Sequence, residues 1–151
     1  MKYSSEIVIN VPLMKVVEYF DSLDNMKHWQ EGYVSHEFIE GKEGHPGAKT
    51  KLFYKMGKRE INMIETITQR DLPREFSATY ETKGVWNEVK NFFTDLGDGK
   101  TKWRTNNEFK FSGFFMKAMG LLMPGAFKKQ SYKYLVDFKK FAENRFEEEK
   151  K

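Results

Sequence analysis

The sequence predicts an α+β domain in which a long C-terminal helix lies against a curled antiparallel sheet of about seven strands, with two short helices near the front. Three observations carry the prediction. Residues 111–146 hold the only stretch long and periodic enough for a major helix. Residues 33–111 alternate apolar and polar side chains in run after run, with turn signals about every ten residues. One strand pattern and two short helical stripes precede that region. Hairpin connections make the sheet a meander, and a strongly twisted sheet of that size curls. Its concave face needs a cover, and the final helix is the cover the sequence offers.

The elements follow in order. In residues 3–11, Tyr3, Ser5, Ile7, Ile9 and Val11 share one side of a half-buried strand. Pro12 opens a helix where its missing N–H is harmless, and Leu13, Val16, Val17 and Phe20 form the apolar stripe. Asp21-Ser22 closes it. Leu23, Met26 and Trp29 mark a second short helix, ended by Glu31-Gly32. Residues 33–40 read as a strand, followed by the turn-rich GKEGHPG. Ala48, Thr50, Leu52, Tyr54 and Met56 then alternate with Lys49, Lys51 and Lys55. Beyond Gly57-Lys58, Ile61, Met63, Glu65 and Ile67 share a side until Asp71-Leu72-Pro73 breaks the run. Phe76, Ala78 and Tyr80 alternate with Glu75, Ser77, Thr79 and Glu81. Lys83-Gly84 leads into residues 85–96, with Val85, Asn87, Val89, Asn91 and Phe93 on one face. Gly97-Asp98-Gly99 supplies the positive-φ residues of a hairpin. Trp103, Thr105, Asn107, Phe109 and Phe111 line one side of the last strand. In the final helix Phe127, Ser131, Tyr134, Leu135, Phe138, Phe141 and Ala142 form one face, and Lys128, Lys129, Lys133, Asp137, Lys140 and Glu143 the other. Residues 114–123 are apolar on nearly every side, and Pro124-Gly125 divides them from that helix.

The 151 residues are enough for one core, so a single domain, 1–151, is expected. The 14 Phe must either fill a thick core or line a space. The absence of cysteine excludes disulfides, thiolate metal sites and a cysteine nucleophile, and it is compatible with a cytoplasmic address. The N-terminus enters a strand pattern directly, so no signal peptide is expected. No apolar run approaches the length of a membrane-spanning helix. The 26 basic residues are interleaved with 22 acidic ones instead of gathering into a patch, so nucleic acid is not expected as a partner. No His/acid cluster has ligand spacing, and neither metal nor cofactor is expected. The oligomeric state stays open.

Three stretches carry a family resemblance: EIVINVPLMKVVEYFDSLDNMKHW at the front, LGDGKTKW in the hairpin and FMKAMGLLMPGAFKKQSYKYLVDFKKFAE at the end. With the element order, they resemble the START-like or SRPBCC superfamily, above all its polyketide cyclase/dehydrase branch. The resemblance covers nearly the whole chain and implies the helix-grip fold of Bet v 1 and START proteins. Members bind apolar or amphipathic small molecules between sheet and C-terminal helix, and they include lipid carriers, hormone or pigment receptors, aromatase/cyclases and chaperone co-activators. The motifs are structural, so they specify the fold and hardly the chemistry.

The residue pattern itself predicts a cavity. The expected inner faces mix bulk (Tyr54, Met63, Phe76, Tyr80, Phe93, Trp103, Phe109) with small or polar side chains (Thr50, Ala78, Asn87, Asn91, Thr105, Asn107). Buried amides without partners cost about 1–3 kcal/mol each, so the asparagines are expected to meet water or a ligand. The alternative is a face assignment one residue out, or strand ends in solvent. The candidate ligand-binding set is Tyr54, Met63, Glu65, Phe76, Tyr80, Asn87, Asn91, Trp103, Thr105 and Asn107 on the sheet, with Phe115, Met119, Met123, Phe127 and Tyr134 on the helical segment. No catalytic residue is assigned. Glu65, if inward, would have its pKa raised by desolvation and would orient a ligand or act as an acid; a paired or edge-facing Glu is the favoured reading. Arg104 and Glu108 read as surface charges. The Met-rich run Phe114-Phe115-Met116 and residues 119–123 read equally as a gate or as a plain cap on the core. A gate would open for an oily ligand or make transient contact with a membrane surface or a partner. His28 at a helix end could reach a cavity mouth, although a surface place is favoured. His36 and His45 are too dispersed to pair. LGDGKT ends like a phosphate-binding loop, but Thr94 stands where the first Gly must be and a strand follows.

Three functions compete. Binding or transport of a hydrophobic or amphipathic small molecule is favoured, driven by burial of apolar surface at about 25 cal/mol per Å². A cyclase or aromatase would hold a reactive chain folded in a dry cavity with one or two acid/base groups. The sequence lacks a convincing buried pair of titratable groups, which disfavours an enzyme. An interaction domain resembling the Hsp90-activator homologues would use the exposed sheet or the Met-rich run as its surface.

Overall fold

The computed structural model of the chain describes residues 1–114, 117, 118 and 124–151. β1 (Lys2–Ile9) is followed by α1 (Leu13–Phe20), a 3-10 turn (Leu23–Asn25) and α2 (Met26–Trp29). Six strands come next: β2 (Tyr33–Glu40), β3 (Lys49–Met56), β4 (Arg59–Asp71), β5 (Glu75–Thr82), β6 (Val85–Gly97) and β7 (Lys100–Phe111). The C-terminal helix α3 runs Pro124–Glu149. The break expected at Pro124-Gly125 falls at the edge of the described residues.

The seven strands form one antiparallel sheet in the order β1-β7-β6-β5-β4-β3-β2. Consecutive strands from β2 to β7 are neighbours, and β1 closes onto β7. Asp98 takes φ 53° in the β6–β7 hairpin, an Asp being one of the few non-glycine residues that tolerate that region. The register stacks the inward side chains into rows. One row is Ser5, Thr105, Asn91 and Phe76; the next but one is Phe109, Asn87, Tyr80, Glu65 and Thr50. The inner faces expected from period-two alternation are the faces observed.

α3 packs along β1 and buries Leu135, Phe138 and Ala142. The Tyr3 hydroxyl donates to the Phe127 carbonyl at 3.1 Å and lies 2.6 Å from Ser131 Oγ, tying the start of the helix to the sheet. The Tyr19 hydroxyl donates to Glu149 Oε2 at 2.6 Å, tying its end to α1.

Two apolar clusters fill the concave side. The larger joins Ile9, Val11, Val16, Val17, Tyr19, Trp29, Phe93, Trp103, Leu135, Phe138 and Ala142. Phe20 packs against it, its ring centroid 5.0–6.1 Å from those of Phe93, Trp103, Phe76, Trp29 and Phe138. The smaller joins Met26, Leu52 and Tyr54, with Leu23, Tyr33, Ile61, Met63 and Tyr80 against it. The sequence offered only the final helix as cover, and this needs correction. The short helices supply Phe20, Leu23, Met26 and Trp29, so the α1–α2 segment roofs part of the sheet. Among the described residues no helix is long and apolar enough to cross a membrane.

Candidate functional site

A cleft of about 420 Å³ opens where the two clusters meet. Its roof is Phe20, Leu23, Met26, Trp29 and Gln30 from the α1–α2 segment. Its floor is the inner face of the sheet: Thr50 on β3, Glu65, Ile67 and Arg70 on β4, and Phe76 and Tyr80 on β5. Asp21, Ser22, Asp24, His36, Glu43 and Gly44 complete the lining.

Glu65 is the chemical centre. Strand register sets it opposite Thr50 on one side and Tyr80 on the other. It is 8% exposed. Burial holds its carboxyl above the usual range, and the hydrogen bond from Tyr80 offsets part of that rise. The Tyr80 phenol is pushed well up by burial and by the Glu65 charge. The Tyr54 phenol is pushed up as well, chiefly by burial, then by Tyr134 and Glu65. Glu65 is therefore buried on the inner face and not at a sheet edge, and its partner is the Tyr80 hydroxyl, the paired alternative of the sequence reading. Together with Tyr80 it forms a buried titratable pair that the sequence did not reveal.

At the mouth, Arg70 holds Asp21 through two parallel bonds of 2.8 and 2.7 Å. Asp24 and Glu43 have no ion-pair partner among the described residues. The Tyr33 hydroxyl shares a hydrogen bond with His36 Nδ1. Among the described residues no group of three His, Cys, Asp or Glu could hold a metal ion.

The candidate residues scatter around this cleft. Glu65, Phe76 and Tyr80 line it. Tyr54 and Met63 pack in the smaller cluster beside Tyr80, and the Tyr54 hydroxyl donates to Gln30 Oε1. Asn91, expected to lack partners, has them. Its amide donates to the Phe76 carbonyl at 3.1 Å and its oxygen accepts the Trp103 indole N–H at 3.0 Å. Trp103 is core, not lining. Asn87 donates to the Glu108 carbonyl at 3.0 Å, and Asn107 to Thr105 Oγ1 at 3.3 Å. For Asn91 the protein's own groups thus replace the water or ligand that the sequence reading expected, while for Asn87 and Asn107 they satisfy the amide nitrogen. Phe127 packs on Phe109 and Phe111 at 5.0 and 5.4 Å, while Tyr134 lies against the larger cluster. Phe115, Met119 and Met123 lie outside the described residues, as does the rest of the gate segment apart from Phe114, which is exposed. His28 is exposed, stacked on Phe141 at 5.3 Å, and takes no part in the cleft.

The roof residues, Thr50, His36 and Arg70 were missing from the candidate set. Thr50 stood on the correct face. The Leu23, Met26 and Trp29 stripe signalled burial without saying over what.

The sequence matches the family described as polyketide cyclase/dehydrase and lipid transport over residues 1–143. The chain belongs to that family. No curated protein matches it by sequence. The fold is the helix-grip, Bet v 1/START-like fold. It is similar to the Zhui aromatase/cyclase from Streptomyces sp. R1128 (TM-score 0.79, 14% identity, 97% of this chain and 95% of that one). It is also similar to a START superfamily protein from Mycobacterium smegmatis (0.72, 11%, 97% of each chain). Ara h 8.0201 superposes with a TM-score of 0.73 at 16% identity, over 94% of this chain and 97% of that one. At these identities the likeness is one of fold.

Proposed function

We propose that this protein binds, and carries, a hydrophobic or amphipathic small molecule in the cleft between the sheet and its helical cover. The supporting observation is the cleft itself: aromatic walls from Phe20, Trp29, Phe76 and Tyr80 around one buried carboxyl. Such a lining favours uptake by burying apolar ligand surface, while a few polar groups fix its orientation. A cytoplasmic setting for that role is compatible with the lack of cysteine.

Native mass spectrometry of protein purified from its own host tests the proposal. The expected result is a co-purifying apolar small molecule released on denaturation. A co-purifying protein with no small molecule would favour an interaction domain instead. Turnover of a polyketide chain that collapses in Glu65→Gln would replace binding by catalysis, since Glu65 with Tyr80 is the pair an acid/base step would use.

A further inference from the structure

We propose that the cleft selects a positively charged amphiphile, an alkylamine-like molecule whose ammonium group sits on the Glu65 carboxylate and whose tail lies on the Phe20, Trp29 and Phe76 rings. The proposal rests on the cleft being a ligand site and adds the charge of the head group.

The charge pattern points this way. The chain carries a net charge of +4, with 26 Lys and Arg. Yet the cleft is lined by Asp21, Asp24, Glu43 and Glu65 against Arg70 and the single histidine His36, with no lysine. Arg70 and Asp21 neutralise each other through their two short bonds. Three carboxyls remain, in a molecule whose overall charge would predict the opposite.

Glu65 is the buried member of these three. It is 8% exposed, it lines the cleft, and no cation faces it among the described residues. A buried carboxylate without a counter-ion is costly, and a ligand that brings one removes the cost. An ammonium carries three donors. Thr50, opposite Glu65 in register, adds a hydroxyl acceptor. Aromatic faces also attract a cation, which an apolar alcohol does not exploit. A fatty-acid head group would instead set a second negative charge beside Glu65.

Calorimetric titration of the whole chain with decylamine, decanol and decanoate, each below its micelle concentration, tests this. Decylamine should bind about tenfold or more tightly than decanol, with decanoate weakest. Glu65→Gln should bring decylamine down to the level of decanol and leave decanol unchanged. Should Glu65→Gln fail to fold by circular dichroism, the double variant Asp24→Asn/Glu43→Gln at the exposed mouth serves instead. It should weaken decylamine by about two- to fivefold and spare decanol. Decanol or decanoate binding as tightly as decylamine, or either variant leaving decylamine unchanged, overturns the charge assignment while the ligand site stands. Failure of all three probes to bind overturns the ligand site and the assignment together.

Discussion

The Trp103 indole N–H donates to Asn91 Oδ1 across β6 and β7 at 3.0 Å, and Asn91 Nδ2 donates onward to the Phe76 carbonyl on β5 at 3.1 Å. One buried amide therefore links three strands at the point where the aromatic core begins. Asn91→Leu keeps the number and branching of the side-chain heavy atoms and strands both neighbours. An orphaned buried polar group costs about 1–3 kcal/mol, so a loss of about 2–4 kcal/mol is expected. Urea unfolding should show a lower midpoint with an unchanged slope. A loss below about 0.5 kcal/mol would mean that water replaces the amide at no cost.

Phe20 contributes differently, because it belongs to the core and to the roof of the cleft at once. Five aromatic rings surround it within 6.1 Å. Phe20→Ala should cost about 3–5 kcal/mol in the same unfolding experiment. Val8, on the outward face of β1, is 41% exposed, so Val8→Ala should change stability by less than about 0.5 kcal/mol. Equal losses from the two would contradict the packing role given to Phe20.

Gly32 couples the end of α2 to the β3–β4 turn. Its φ is +85°, and a Cβ there would stand 2.7 Å from Met56 Sδ and 2.9 Å from the Lys55 carbonyl oxygen. The thioether can swing away; the carbonyl, which sits in the backbone of β3, cannot without moving the strand. Gly32→Ala should therefore destabilise by about 1–3 kcal/mol. Adding Met56→Ala should recover little of that loss, because the backbone clash and the positive φ remain. Full recovery would place the whole conflict in the Met56 side chain.

Much of this architecture can be read from side-chain alternation. Thr50, Leu52 and Tyr54 face inward because Lys49, Lys51 and Lys55 between them seek water, and the register bears that out strand by strand. What alternation cannot carry is partnership at long range. Asn91 was assigned to the inner face, but its acceptor and donor lie 15 and 12 residues away on neighbouring strands. Arg70 finds Asp21 at a separation of 49 residues, and nothing local in either segment announces the pair. Glu65 is the sharpest case. A lone carboxylate in an apolar alternation has two physical outcomes, a sheet edge or a buried face, and only the register with Thr50 and Tyr80 decides between them. The roof is hard to read from sequence for a similar reason. A short amphipathic stripe shows that one side is covered, while the surface it covers depends on how the chain turns at Asp21-Ser22.

The Glu65 carboxyl makes stability depend on pH in a direction opposite to that of an ion-paired acid. Its folded-state pKa lies above the ordinary 4.5 because burial disfavours the charge. The native state therefore holds this proton more tightly than the unfolded chain does. By linkage, its contribution to stability is fully present below 4.5 and is lost as pH rises through the raised folded value. Glu65→Gln keeps the shape and a hydrogen-bonding group for Tyr80 but cannot ionise. The difference in unfolding free energy between wild type and Glu65→Gln should thus move in the variant's favour as pH is raised from 4.5 toward neutrality. Comparing the pair at each pH cancels the titration of the many surface carboxylates they share. A difference that stays flat over that range would show that Glu65 is solvated in the native state, and a difference that moves the other way would require a cation beside it.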